Sequence, residues 1–334
     1  MPLGALAHEE RMRRHPRRIV TFVVDANPNY TNVCDTYCTF CSFFREPGDP
    51  DAFTHSPGEM VEIARRAAGR GARRLLLQGG HNPALGLDYY LELIAALRRE
   101  LPDLELHMFS PPEIASIARF TGLRVREVLE RFFDAGLRTL PGGGAEVLAT
   151  RVRRRVSPRK GPPEEWIGVM RTAHEVGFRT TATLMYGHLE TDEDLVEHLL
   201  RIRLLQDETG GFFAFIPWSF KPGASPLSRR VPVEAGPGRY LRILAASRLV
   251  LDNFDHIQGS WFSEGEKAGQ LGLHFGADDF GGTLLEENVL AAAGHRESTT
   301  AERVIQVIRD AGFVPAERDT TYRIHRIHDE EEAA

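Results

Sequence analysis

The chain has 334 residues, 42% of them hydrophobic and 26% charged, the composition of an ordinary globular enzyme. A formal net charge of −6 argues against nucleic acid as the main partner, because phosphate binders carry a basic excess. No apolar run approaches the roughly 20 residues of a membrane span, and MPLGALAHEERMRRHPRR lacks the apolar centre of a secretory signal, so the expected compartment is the cytoplasm.

Residues 1–17 read as a polar extension, and a first strand is expected near 18–25. A helix over 57–69 follows, opened by the capping box Ser56-Pro57-Gly58-Glu59, with Met60, Val61, Ala64 and Ala67 on one face. One pattern then recurs, in which a helix stops at a glycine and a short apolar run comes next. It appears in GRGARRLLLQGG (69–80), DAGLRTLPGGG (134–144), EVGFRTTATLMYG (175–187) and DAGFVPAERD (310–319). Glycine supplies the left-handed cap, and the runs suit strands buried on both faces. Further strands are expected near 73–78, 104–109, 137–140, 178–186, 212–217, 256–262 and 271–276. The intervening helices are expected over 88–100, 125–135, 163–176, 192–207, 237–252 and 299–311. Ser110-Pro111-Pro112-Glu113 repeats the capping box, as does Thr299-Thr300-Ala301-Glu302, and Thr191 with Asp194 is a weaker version. Eight strands alternating with helices predict an α/β chain with a closed, TIM-type (β/α)8 barrel over 18–283. Residues 284–334 then form a helical segment with a final strand and the acidic tail HDEEEAA.

All three cysteines lie in one short motif, Cys34-Asp35-Thr36-Tyr37-Cys38-Thr39-Phe40-Cys41. A disulfide framework would use an even number spread along the chain. Structural zinc pairs its cysteines and closes four ligands, and no second pair exists here. Three thiolates suit a 4Fe–4S cluster with one iron left open for a ligand. The motif follows the first strand, in the loop at the barrel's C-terminal face, where barrel enzymes keep their active sites.

The C-x3-C-x-aromatic-C motif after strand one resembles the radical SAM superfamily. The blocks VTFVVDANPNYTNVC, LLLQGGHNP, PGGGAEVL, TTATLMYGHLET, QDETGGFFAFIPWSF, LAASRLVLDNFDHIQGSW and FGADDFGGTLLEEN together resemble the cyclic dehypoxanthine futalosine synthase family of the futalosine pathway to menaquinone. The resemblance runs from about residue 3 to 325, and QGGHNP and IPWSF set it apart from two sister groups. Those are the aminodeoxyfutalosine synthases and the deazaflavin-forming enzymes. The resemblance implies a 4Fe–4S cluster on Cys34, Cys38 and Cys41, S-adenosylmethionine (SAM) on the open iron, and a flavodoxin or ferredoxin as electron donor. It implies cleavage of SAM to a 5′-deoxyadenosyl radical, which takes a hydrogen from the ribose of dehypoxanthine futalosine at C4′. The carbon radical then closes onto the benzoate ring. A degenerate, non-catalytic metal-binding barrel is the alternative outside enzymes.

The resemblance places Gly79 and Gly80, directly after strand two, against the methionine end of SAM; a simple tight turn is the other reading. Glu146, after the Gly142-Gly143-Gly144 loop, is either a ligand for ribose hydroxyls or a first-turn glutamate favoured by the helix dipole. His188 and Glu190 follow strand five on the catalytic face and are the candidate catalytic pair. The alternative has them order their own loop. Glu113 reads more strongly as a cap, and Asp278 and Asp279 stand after the expected eighth strand. Trp218 is a candidate wall for the benzoate ring. The cationic run Arg151 to Lys160 has six cations in ten residues, of which one or two would clamp a carboxylate.

Overall fold

The computed structural model describes residues 2–328, so all but the first residue of the HDEEEAA tail lies outside the described part. The strands, in chain order, are β1 (Ile19–Val23), β2 (Asp25–Ala26), β3 (Arg74–Leu77), β4 (Glu105–Met108), β5 (Thr139–Leu140) and β6 (Arg179–Tyr186). They continue as β7 (Phe212–Ser219), β8 (His256–Ile257), β9 (Asp279–Gly282), β10 (Val314–Arg318) and β11 (Ile324–Ile327). Strands β2 to β8 form one parallel sheet in sequence order. The sheet curls round and closes through β9. Gln258 bridges Asp279 beside β8, and β9 pairs in parallel with β1, which runs on into β2. The ring is therefore an eight-stranded parallel barrel, counting β1 and β2 as one bent strand.

Helices cover the outside as their start signals require. Ser56 N–H donates to Glu59 Oε2 at 2.7 Å and Ser110 N–H to Glu113 Oε2 at 2.8 Å, opening helices Pro57–Gly69 and Pro111–Thr121. Helices Pro163–Val176 and Asp192–Thr209 end on Gly177 and Gly210 in the left-handed conformation. The N-terminal extension holds a helix, Pro2–Arg14, packed on helix Pro237–Val250.

The expected strand 271–276 is not a strand. Helix Glu266–Gly272 ends there, Gly276 turns the chain, and the eighth barrel strand is β9. Its sequence, Asp-Phe-Gly-Gly, carries no strand propensity. It is a strand because Asp279 is buried against Arg318, and because Gly282 lies where a Cβ would stand 2.1 Å from Asp25 Oδ1. The expected strand 256–262 also shortens to β8, because Trp261–Glu264 turns into a short helix.

The chain's end closes the bottom of the barrel. Strand β10 pairs with β1, and β11 returns antiparallel to it, where the sequence suggested one final strand. Arg318 donates to both oxygens of Asp279 at 2.6 and 2.9 Å, with both side chains 0% exposed. Thr21 Oγ1 donates to the same carboxylate at 2.6 Å. The Tyr322 ring stacks on His256 with centroids 3.8 Å apart, and the Arg318 guanidinium lies 3.8 Å from the centroid of the same ring. Beside this plug, buried Asp278 is ion-paired with Arg248 and bonded to His256 Nδ1 at 2.5 Å.

Candidate active site at the barrel mouth

The loop from Asn27 to His55 leaves β2 at the C-terminal face of the barrel. Cys38 is buried, whereas Cys34 and Cys41 are half-buried. Cys41 N–H donates to Cys38 O at 3.1 Å, a turn that brings these two residues to one side, and Tyr37 before it adopts a left-handed backbone with φ 49°. After Cys41, one Arg45 nitrogen donates to the carbonyls of Ser42, Phe43 and Phe44 at 3.1, 3.3 and 2.8 Å, fixing the exit of the loop. Burial pushes the Cys38 thiol up to about 12 and raises Cys41. Loss of the proton there therefore needs a cation or a metal to take its place.

A cation is at hand. Lys160 Nζ donates to Glu146 Oε1 at 2.6 Å, and both side chains are nearly sealed from solvent. Burial works against the Lys160 charge, but Cys38 and Glu146 outweigh it and raise its pKa. Glu146 is therefore one half of a buried ion pair beside the cysteines. A solvent-facing first-turn glutamate does not describe it.

Gly79 and Gly80 lie against the cysteine loop itself. A Cβ at Gly79 would stand 2.6 Å from the Tyr30 ring, and one at Gly80 would stand 2.2 Å from the Val33 carbonyl oxygen. Glu113 ties the same parts together, accepting from Tyr30 Oη at 2.8 Å and from Gly79 N–H at 3.0 Å while it caps its helix. The Gly142-Gly143-Gly144 loop presses on its neighbours in the same way, since a Cβ at Gly143 would meet Gln78 Nε2 at 2.2 Å. Buried Arg153 holds that loop through the carbonyls of Gly144 and Ala145, both at 2.9 Å.

His188 and Glu190 are spent on their own loop. Glu190 accepts from Gly187 N–H at 2.7 Å and His188 N–H at 2.8 Å. His188 Nε2 faces Met185 O at 2.9 Å, while Leu189 N–H points at Nδ1 at 2.7 Å. Burial lowers the His188 pKa, and the neutral ring with its proton on Nε2 satisfies both contacts. Neither nitrogen has a lone pair to spare for a substrate proton in this arrangement. Half of the cationic run is also committed, with Arg151 on Asp194, Arg153 on carbonyls and Lys160 on Glu146. Trp218 is half-buried against the main core near the end of β7. Asp278 and Asp279 belong to the bottom of the barrel, away from the mouth.

Two sets of residues carry more than the sequence assigned to them. His81, inside the QGGHNP block, lies 2.7 Å from Thr36 Oγ1 and 2.8 Å from Ser116 Oγ, and its carbonyl accepts from Asp35 N–H. Burial holds it down to about 3, so it is a neutral brace of the cysteine loop. Around the mouth, Asn27 Oδ1, Asn29 Oδ1, Ser42 Oγ and Ser219 Oγ are buried without a partner among the described residues. Atoms of this kind also occur away from the mouth, at Arg74 Nε and Tyr322 Oη for example, so those at the mouth are free to meet a ligand without by themselves requiring one. Neither group of side chains placed to share one metal ion, His15 with His256 and Asp278 or Glu105 with Asp319 and His325, includes a cysteine. Among the described residues, the three thiols are therefore not all drawn together as a closed single-ion site would require. One buried and two half-buried thiols, a buried compensating cation and unpaired polar atoms together fit a cluster with an organic ligand.

Comparison with known proteins agrees with this geometry. Residues 29–202 match the model of the radical SAM superfamily, and residues 209–331 match the CofH/MqnC C-terminal region. The chain is 41% identical over 332 residues to cyclic dehypoxanthine futalosine synthase of Halalkalibacterium halodurans, covering 99% of this chain and 89% of that one. It is 40% identical over 327 residues to the 5-amino-6-(D-ribitylamino)uracil–L-tyrosine 4-hydroxyphenyl transferase of Methanopyrus kandleri, covering 96% and 88%. Among solved structures, methylornithine synthase (PylB) superposes with a TM-score of 0.73 at 17% identity, covering 94% of this chain and 88% of that one, which shows a shared fold. Among the described residues, no helix is long and apolar enough to cross a membrane.

Proposed function

The chain belongs to the radical SAM superfamily, among the members with a CofH/MqnC C-terminal region, and on that premise we propose that it closes dehypoxanthine futalosine to its cyclic form in menaquinone synthesis. The observation that carries this reading is the cysteine trio at the mouth of a barrel whose full length resembles a synthase named for that product. The transferase relative is almost as similar in identity, so overall identity does not choose between reactions. The resemblance of the QGGHNP and IPWSF blocks tilts the reading to the cyclase, and His81 in the first of them braces the cysteine loop.

Cys34, Cys38 and Cys41 would hold the 4Fe–4S cluster. When bound, that cluster offers an open iron to the amino and carboxylate groups of SAM and supplies the electron that cleaves it. Lys160 offsets the thiolate charge beside Cys38, and Glu146 keeps Lys160 in place. Gly79 and Gly80 let the turn after β3 lie flat under the cysteine loop, leaving their backbone near the methionine end of SAM. Asn27, Asn29 and Ser219 offer unpaired polar atoms to SAM or substrate. His188 and Glu190 act as positioning residues, setting the loop after β6 that borders the substrate. Trp218 walls the benzoate ring. The electron comes from a one-electron carrier such as a flavodoxin or ferredoxin.

The test is anaerobic incubation of the reconstituted protein with dehypoxanthine futalosine, SAM and dithionite, followed by mass analysis. A cyclic product two hydrogens lighter than substrate, with free 5′-deoxyadenosine, is expected. A product that retains the adenosyl group, with no free 5′-deoxyadenosine, would assign the chain to the sister reaction.

A further inference from the structure

We propose that the exposed arginines around the cysteine loop, Arg119, Arg154, Arg155, Arg159, Arg229 and Arg230, form the docking surface for an acidic one-electron carrier protein. The inference rests on the reading of this site as a radical SAM centre and names the partner that serves it. Two elements abut the tip of the loop between Cys38 and Cys41. Thr39 N–H donates to Val156 O at 2.8 Å at the end of helix Thr150–Val156, and Leu227 N–H of the turn Pro226–Arg229 donates to Thr39 O at 2.8 Å. These contacts bring Arg154, Arg155, Arg229 and Arg230 beside the loop, and all four are exposed. On the loop's other arm, Arg159 donates to Asp35 O at 3.2 Å with its guanidinium 4.4 Å over the Tyr37 ring. Arg119 donates to Asp35 Oδ2 at 3.0 Å.

Most of the charge here is uncompensated. Half of the cationic run is consumed internally by Asp194, by carbonyls and by Glu146. The exposed half, Arg154, Arg155 and Arg159, has no carboxylate partner among the described residues, and neither do Arg229 and Arg230. Two carboxylates act on Arg119 at its edge, Asp35 by direct contact and Glu165 at longer range. A concentrated positive face on a chain of net charge −6 makes the molecule strongly asymmetric. An acidic partner is steered to this face and repelled from the others. Arginine, planar and weakly hydrated, is the cation suited to a protein interface. Cys34 and Cys41 are half-exposed within this face, so a carrier docked on it stands beside the thiols that would hold the cluster. In that step one electron leaves the carrier, whose cofactor is oxidised by one unit, and enters the cluster; no proton moves and no bond changes.

The experiment measures binding of an acidic flavodoxin to the full-length, cluster-loaded protein at low and high salt, alongside dithionite-driven SAM cleavage. Reversing two charges in Arg154→Glu/Arg155→Glu should weaken flavodoxin binding roughly tenfold or more, and high salt should weaken parent binding similarly. Arg229→Glu/Arg230→Glu, on a separate element, should give the same loss, which guards against misfolding of one variant. Both should keep parent iron content and parent dithionite-driven cleavage. Unchanged flavodoxin affinity in both variants overturns the proposal. So does tight heparin binding with no flavodoxin binding, which would make the patch a polyanion site. Absent dithionite-driven cleavage in the parent instead sinks the radical SAM reading, while the binding measurements still decide the docking surface.

Discussion

The two ends of the barrel treat their buried charged and polar groups differently. At the bottom, Asp279 is clasped by Arg318 and Thr21, and Asp278 by Arg248 and His256, so each buried carboxylate has several donors. At the mouth, Asn27, Asn29, Ser42 and Ser219 keep buried atoms without partners, and two of the three thiols reach the surface. At the bottom the chain itself satisfies the buried carboxylates, although Arg74 Nε and Tyr322 Oη there also lack partners among the described residues. Unlike those two, the unpaired atoms of Asn27, Asn29 and Ser42 at the mouth lie in the loop that carries the cysteines. This is the division between stability and catalysis that parallel barrels permit.

The comparison breaks first at the cysteines. Cys38→Ala should abolish the cluster's brown absorbance and all SAM cleavage, and near-normal iron loading would remove it from the ligand set. The matching change at the bottom is Arg318→Met, which strands Asp279 as an unpaired buried carboxylate. It should cost about 3–5 kcal/mol by chemical denaturation, with SAM cleavage per cluster-loaded molecule unchanged. A loss of specific activity there would show that the two ends are not separate.

A pH titration sharpens the contrast between charged and neutral bracing. His81 and His198 are held down to about 3 and His174 to about 4, each by burial. Their folded pKa values lie below the unfolded value near 6.5, so the unfolded chain binds protons that the native chain refuses. Stability should be level above about pH 7. Below about pH 6.5 it should fall by about 1.4 kcal/mol per pH unit for each histidine until the folded values are reached. A midpoint of thermal unfolding that does not move between pH 7 and about 5 would contradict this.

Smaller effects separate loop packing from chemistry. Gly80→Ala sets a Cβ against the Val33 carbonyl, so the cysteine loop must shift, at a cost of about 1–3 kcal/mol. Reduced iron loading is expected along with weaker SAM binding, and normal loading with weak SAM binding would restore a purely SAM-facing role. His188→Ala should be mildest for the fold, about 1 kcal/mol for the lost contact to Met185. It should keep the cluster and slow SAM cleavage while forming little cyclic product; cyclisation at the parent rate would leave His188 without even a positioning role.

Much of this architecture was legible in the sequence because it rests on local rules. Capping boxes at Ser56 and Ser110, and glycine stops at Gly177 and Gly210, mark helix ends by chemistry that acts within a few residues. Strand β9 was not legible, because Asp-Phe-Gly-Gly becomes a strand only through Arg318 and Asp25, both far away in the chain. The same limit governs the site. The cysteine motif is local and reads directly, whereas the Lys160–Glu146 pair and the brace at His81 exist only once distant loops meet. His188 and Glu190 lie on the expected face, yet which atoms they satisfy could not be read from their position.

The most direct test of the central claim uses dehypoxanthine futalosine deuterated at the ribose C4′, incubated anaerobically with the loaded protein, SAM and dithionite. Deuterium should appear in 5′-deoxyadenosine in step with the cyclic product. Cyclic product formed with unlabelled 5′-deoxyadenosine, or an adenosyl adduct in its place, would contradict hydrogen abstraction at this mouth.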